Sequence, residues 1–236
     1  MIYSSTRGND INLKFGDVLL NGLAKDGGLY VPNCIKSYSE EELDSLRELD
    51  YSSLAFELTK DFVRGEISVS EYKKICINSY KRSFGKEIIS FDKLDQHKYI
   101  ANLFNGPTYA FKDFALQLLG NIYDHILRKR KINLTILGAT SGDTGSAAIH
   151  GCAKSKNVKI FILFPLNRVS EIQRKQMTTV KKKNVYNIAV KGNFDDCQRM
   201  VKNYFKLNNK NKKINLAAVN SINWVRIMGQ IVYYFW

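Results

Sequence analysis

From about residue 98 the chain alternates short apolar runs with helix-length segments, and this rhythm restricts the fold more than any other feature of its 236 residues. The runs cover residues 99–104, 132–137, 158–164, 185–190 and 214–219. The helix-length stretches after them cover 113–127, 144–154, 170–180, 194–205 and 222 onward. Strands alternating with helices imply βαβ units and a mostly parallel sheet. The continuously apolar Ile160-Phe161-Ile162-Leu163-Phe164 suits a strand covered on both faces.

The opening ninety or so residues have another character, helical and mixed. Ser39 followed by Glu42 is a capping-box signal, and Ser68 with Glu71 is a second one. Tyr72, Ile75, Cys76 and Ser79 follow the second signal at helical spacing, and residues 54–63 read as another helix. The expected organisation is α/β, with a mixed helical N-terminal domain over residues 1–95. A partly complete, mostly parallel βαβ domain follows over residues 96–236. The last helix is still strongly apolar at Trp236, which reads as a truncated chain with a sticky half-built face.

Composition removes several classes. No apolar run reaches the length of a bilayer span. Met1-Ile2-Tyr3-Ser4 lacks the basic stretch and apolar core of a signal peptide, and the N-terminus is not Arg-rich like a transit peptide. Cys34, Cys76, Cys152 and Cys197 are scattered without a Cys-x-x-Cys pair, which argues against structural zinc and fits a reducing, cytoplasmic setting. His97, His125 and His150 have no metal-ligand spacing, so no metal site is expected. The formal charge of +14 fits a nucleic-acid binder or a protein that handles phosphorylated metabolites. Its clusters, 128–131, 181–183 and 210–213, fall between periodic segments and read as solvated helix ends and turns. No aromatic-interleaved basic stripe accompanies them, so a nucleic acid is not the expected partner, and with no apolar run of bilayer length a membrane is not expected either.

Three stretches carry chemistry. In Asn105-Gly106-Pro107-Thr108-Tyr109-Ala110-Phe111-Lys112-Asp113-Phe114, Gly-Pro makes a stiff turn and places Lys112 at the start of a helix. Apolar neighbours and a helix N-terminus disfavour the ammonium form and favour the free, nucleophilic amine, although a lysine at such a position is also commonly just solvated. In Gly138-Ala139-Thr140-Ser141-Gly142-Asp143-Thr144-Gly145, small residues let backbone N–H groups meet hydroxyls at a helix start. Such a turn suits a phosphate or carboxylate, and equally reads as a simple helix cap. It lacks the Walker Gly-Lys-Ser/Thr ending and is not Gly-x-Gly-x-x-Gly. Asp143 fits an anion cradle only by pointing away or by meeting a cofactor hydroxyl. In Asn220-Ser221-Ile222-Asn223-Trp224-Val225-Arg226, Asn220, Ser221 and Arg226 suit one phosphate at a strand-to-helix junction.

In this order the three stretches resemble the threonine synthases, in the branch with an extended N-terminal domain. The opening from Phe15-Gly16 through Gly22-Leu23-Ala24-Lys25-Asp26-Gly27-Gly28-Leu29-Tyr30-Val31-Pro32 is similar to that family too, as is Gly192-Asn193-Phe194-Asp195-Asp196-Cys197-Gln198. The resemblance covers the whole chain. It implies a fold type II (tryptophan-synthase-β-like) enzyme that uses pyridoxal 5'-phosphate (PLP) to convert O-phospho-L-homoserine and water to L-threonine and phosphate. By resemblance Lys112 forms the Schiff base with PLP and moves protons, with the cofactor as electron sink. Thr140, Ser141 and Thr144 bind the substrate carboxylate, Asn220, Ser221 and Arg226 bind its phosphate, and Asp143 lies by the PLP 3'-oxygen, where many relatives have Asn. Relatives hold the PLP phosphate on a downstream loop of the form Ser-Gly-Asn-Phe-Gly and supply a hydroxyl to the pyridine nitrogen near their C-terminus. Neither occurs in these residues, so the isolated chain is expected to bind PLP weakly and to be inactive. Three rival readings are a phospho-lyase that yields 2-oxobutyrate and ammonia, a non-catalytic basic binding module, and a degenerate remnant.

Overall fold

Hydrophobic periodicity and capping chemistry set the order of elements along the chain. The computed structural model describes residues 1–211, 214–219 and 221–236. In order they are β1 (Tyr3–Ser5), α1 (Phe15–Asn21), β2 (Tyr30–Pro32), α2 (Glu40–Leu46), α3 (Tyr51–Thr59), α4 (Val69–Ser79), β3 (Ser90–Lys93) and β4 (Tyr99–Asn102). Then come α5 (Lys112–Arg130), β5 (Leu134–Ala139), α6 (Asp143–Cys152), β6 (Val158–Pro165), α7 (Glu171–Thr178), β7 (Val185–Val190), α8 (Phe194–Asn211), β8 (Leu216–Ala218) and α9 (Trp224–Phe235). The chain forms two compact units, residues 1–119 with 221–236, and residues 120–220.

In the first unit the capping signals act where the sequence places them. The Ser39 hydroxyl accepts from the Glu42 N–H at 3.2 Å, while the Glu42 carboxylate accepts from the Ser39 N–H at 3.0 Å. Ser68 opens α4 by accepting from the Glu71 N–H. Residues 54–63 divide into the end of α3 and a 3₁₀ turn over Lys60–Val63. Tyr3 is fully buried, and its hydroxyl donates to the Phe62 carbonyl at 2.6 Å, which satisfies a phenol inside an apolar core.

The terminal helix departs from expectation. Instead of presenting its apolar stripe to solvent, α9 buries Val225, Met228 and Val232 completely against other elements of its unit. Gly229 permits this: a Cβ there would lie 2.9 Å from the Ala115 Cα, so α9 and α5 approach backbone to backbone. At the helix start the Asn223 side chain accepts from the Val225 N–H and donates to the Leu19 carbonyl at 3.0 Å. Only the last residues, Tyr234, Phe235 and Trp236, are exposed.

Residues 99–104 were expected to join the parallel sheet. Instead β4 pairs antiparallel with β3, with Phe91 opposite Ala101, in a separate two-stranded sheet. The five residues between the strands suit a hairpin, whereas a parallel partner needs a crossover of a dozen or more.

The second unit has the expected parallel sheet, four strands in the order β7-β6-β5-β8. On one face Ile136, Ile160 and Ile162 are buried, with Ala147, Ala148 and Ile149 of α6 equally inaccessible. On the other, Leu137 and Leu163 pack with Cys197, Val201 and Phe205 of α8. The covering is incomplete beside α8, where a groove of about 430 Å³ is lined by Phe161, Leu163, Ile188, Met200 and Tyr204. The chain runs outward from β5 to β7 and then returns to the other side of β5 as β8. The strand order therefore reverses between β5 and β8, and in open α/β sheets ligands bind beyond the carboxyl ends of strands at such a reversal.

Candidate active site

The turn that follows β5 lies at this reversal. Thr140 is 2 % exposed, and its hydroxyl accepts from the Gly142 N–H at 3.0 Å and the Gly145 N–H at 2.9 Å. Both acceptor sites of the hydroxyl are thereby used, and what it can still offer is its own O–H as a donor. Gly142 has φ of 144°, a backbone that a side chain rarely tolerates, and it supplies no cap to α6. Thr140 supplies the cap in its place. Gly145 has no room for a Cβ, which would lie 2.5 Å from the Thr140 methyl and 2.8 Å from the Met177 sulfur. Ser141 is exposed and Thr144 half-buried. The result is a tight turn with hydroxyls at a helix N-terminus, where partial positive charge favours an anion.

The Asp143 carboxylate has a partner that spacing did not reveal. The Gln173 side-chain amide, from the first turn of α7, donates to it. The Gln173 side-chain oxygen accepts from the Ser170 hydroxyl at 2.9 Å, and the Gln173 backbone N–H donates to the same hydroxyl. A Cβ on Gly142 would overlap this amide. The only sequence signal for Gln173 was its position three residues after Ser170, which reads as a helix cap alone.

In the first unit Lys112 is the first residue of α5, half-buried, with its Nζ 4.8 Å from the centre of the Phe111 ring. The turn before it is fixed by the next residue. The buried Asp113 carboxylate accepts from the Thr108 N–H at 2.7 Å and the Thr108 hydroxyl at 2.8 Å. Gly106 packs directly on it, since a Cβ there would be 2.6 Å from the Asp113 Cβ. Of the apolar neighbours expected around Lys112, Phe114 is buried but Phe111 is 42 % exposed. Arg226, in the first turn of α9, is 2 % exposed, and burial lowers its pKa below the ordinary guanidinium value. Ser221 precedes α9 and is exposed; Asn220 lies outside the described residues.

The second unit thus brings Thr140, Ser141, Asp143 and Thr144 into one turn. The first unit holds Lys112 and Arg226 each in the first turn of its own helix, and these two helices make their close contact three residues further on, at Ala115 and Gly229. In the second unit the hydroxyls of the tight turn suit an anion, and in the first unit a primary amine suits a carbonyl group and a buried guanidinium suits an anion.

A mixed helical opening followed by parallel βαβ units, with a lysine at one helix start and a small-residue turn after the first sheet strand, is the architecture of the fold type II PLP enzymes. Residues 2–80 match the family model described as threonine synthase N terminus. The chain is 53 % identical over its whole length to a threonine synthase of Pseudomonas aeruginosa and 45 % identical to one of Schizosaccharomyces pombe. It superposes with a TM-score of 0.95 on the PLP-bound threonine synthase of Brucella melitensis, at 43 % identity, and with 0.91 on the yeast enzyme, at 39 %. The matches take in 99–100 % of this chain and 47–51 % of those proteins, so the chain spans about half the length of the relatives it matches. Along its whole length the chain is similar to threonine synthases, and its residues 2–80 match that family's N-terminal model.

Proposed function

We propose that the protein carrying this chain converts O-phospho-L-homoserine and water to L-threonine and phosphate with PLP as cofactor, by γ-elimination and β-hydration. The observation that carries the reading is whole-length similarity to threonine synthases, one of them PLP-bound, in a chain that keeps Lys112 at the start of a helix. When bound, PLP supplies the electron sink. Lys112 holds the cofactor through its amine and transfers protons at the substrate's Cα and Cβ. The N–H groups and hydroxyls of the turn at Thr140, Ser141 and Thr144 hold the substrate carboxylate. Asn220, Ser221 and Arg226 hold its phosphate, and the burial of Arg226 strengthens that contact by excluding water. Asp143 is assigned to the cofactor side of the turn. Residues 1–95 are proposed as the N-terminal domain and 96–236 as part of the catalytic domain; the family match over 2–80 falls within the first of these. A cytoplasmic setting agrees with this metabolic role, and among the described residues no helix is long and apolar enough to cross a membrane.

The test is product analysis on the protein purified from its own source. Equal amounts of L-threonine and phosphate are expected. Phosphate with 2-oxobutyrate and ammonia would establish the phospho-lyase reading instead. The Lys112→Ala variant should lose the visible absorption of bound PLP and about 10²–10⁴-fold in turnover; a variant that keeps both would remove Lys112 from the chemistry.

A further inference from the structure

An anion-binding turn with a carboxylate at its first helical residue poses a difficulty. At the N-terminus of α6 the same N–H groups and partial positive charge that attract a substrate carboxylate also attract Asp143, which is covalently present at high effective concentration. A free Asp143 side chain would compete for the turn from within and repel the incoming charge. The geometry points to Gln173 as the residue that removes this competition.

Gln173 is well built for the purpose. Its side-chain amide donates to Asp143 while the side-chain oxygen is engaged by the Ser170 hydroxyl, and its backbone N–H donates to that hydroxyl as well. The amide is thereby oriented with its NH₂ toward the carboxylate. Gly142 abuts the same amide with no space for a Cβ, so the turn is seated on Gln173 directly. The Ser146 hydroxyl bridges at 3.0 Å to the Gly142 carbonyl and at 3.4 Å to the Gln173 carbonyl, and Met177 packs one turn further along against Gly145. Helix α7 therefore holds the turn at both ends. The donor is neutral. A lysine or arginine would hold Asp143 more strongly but would add a cation able to draw the substrate carboxylate off the N–H groups. We propose that Gln173 is a positioning residue that determines affinity for the substrate carboxylate by directing Asp143 out of the turn. The inference rests on the proposed function, because that reading assigns the carboxylate to this turn.

The decisive experiment is a charge swap. Gln173→Glu sets two carboxylates against each other and should raise the KM for O-phospho-L-homoserine about 10- to 100-fold, with kcat changed less than threefold. Adding Asp143→Asn to Gln173→Glu restores a donor–carboxylate pair with its direction reversed, and should bring KM to within about threefold of Asp143→Asn alone, the reference that already carries any effect of this residue on the cofactor. Thermal unfolding of each variant separates loss of fold from loss of pairing. A second readout needs no turnover: the Ser141 and Thr144 amide resonances are followed by NMR during titration with L-homoserine, which has the carboxylate but no phosphate. The shifts should weaken in Gln173→Glu and recover in the double variant. Unchanged KM and titration in Gln173→Glu, or a double variant no better than the single, would overturn the inference. A parent protein that titrates normally but makes no threonine would defeat the proposed function while leaving the role of Gln173 standing.

Discussion

The Thr140 hydroxyl accepts from two backbone N–H groups and so takes over the cap that Gly142, with φ of 144°, does not provide. That small residues and hydroxyls gather here was legible from spacing; which hydroxyl turns inward was not, because the direction depends on the strand that Thr140 leaves. Its N–H is bonded to the Leu163 carbonyl of β6, twenty-three residues on. The cysteines make a prediction at the same scale. Cys76 and Cys152 are enclosed in apolar surroundings, and burial pushes each thiol up to about 12; Cys197 is raised as well, again chiefly by burial. Cys34 is exposed. At pH 8 iodoacetamide should modify Cys34 alone until the protein is unfolded, and rapid native labelling of Cys76 or Cys152 would contradict the packing. Linkage gives the companion effect. The unfolded thiols ionise from about pH 8.5 upward and the buried ones only near 12, so this contribution to stability is intact below pH 8.5 and is lost as pH rises toward 12.

Among the elements, α5 and α6 meet at a point where no side chain intervenes: a Cβ on Gly120 would overlap the carbonyl of Gly151. Gly120→Ala adds about 1 kcal/mol of helix propensity. The obstacle, however, is backbone rather than a flexible side chain, so overpacking outweighs that gain and a net loss of about 1–3 kcal/mol is expected in urea unfolding. A neutral or stabilised variant would show that the helices can separate freely. Helix starts at Ser39 and Ser68 were readable because a cap and its N–H lie three residues apart. The placement of β4 was not, since an apolar run of that length serves a parallel sheet or a hairpin equally well and only its pairing partner decides.

For the molecule as a whole, 36 Lys and Arg against 22 Asp and Glu leave a net charge of +14. The described basic runs sit on separate elements: Arg128, Lys129 and Arg130 close α5, where cations complement the helix dipole, and residues 181–183 lie in the turn before β7. Arg128 is paired with Asp124 at 3.1 Å. Such an arrangement attracts polyanions without reading them. Any affinity for duplex DNA should fall steeply between 50 and 200 mM salt, on the order of the counterion-release slope, and should not depend on base sequence. Sequence discrimination surviving in 200 mM salt would revive a nucleic-acid function.

What the sequence by itself determined is local in origin. The βαβ rhythm, the helix starts, Lys112 opening α5 and the small-residue turn after β5 all follow from periodicity, caps and glycine, whose physics acts over a few residues. Tertiary structure alone decided the rest: β4 pairing with β3, the Asp143 carboxylate meeting Gln173 thirty residues away, Asn223 reaching the Leu19 carbonyl, and α9 burying its apolar stripe. Each of these depends on which distant surface comes to face a residue, and a hydrogen bond or an apolar contact carries no mark in the sequence of the partner it will find.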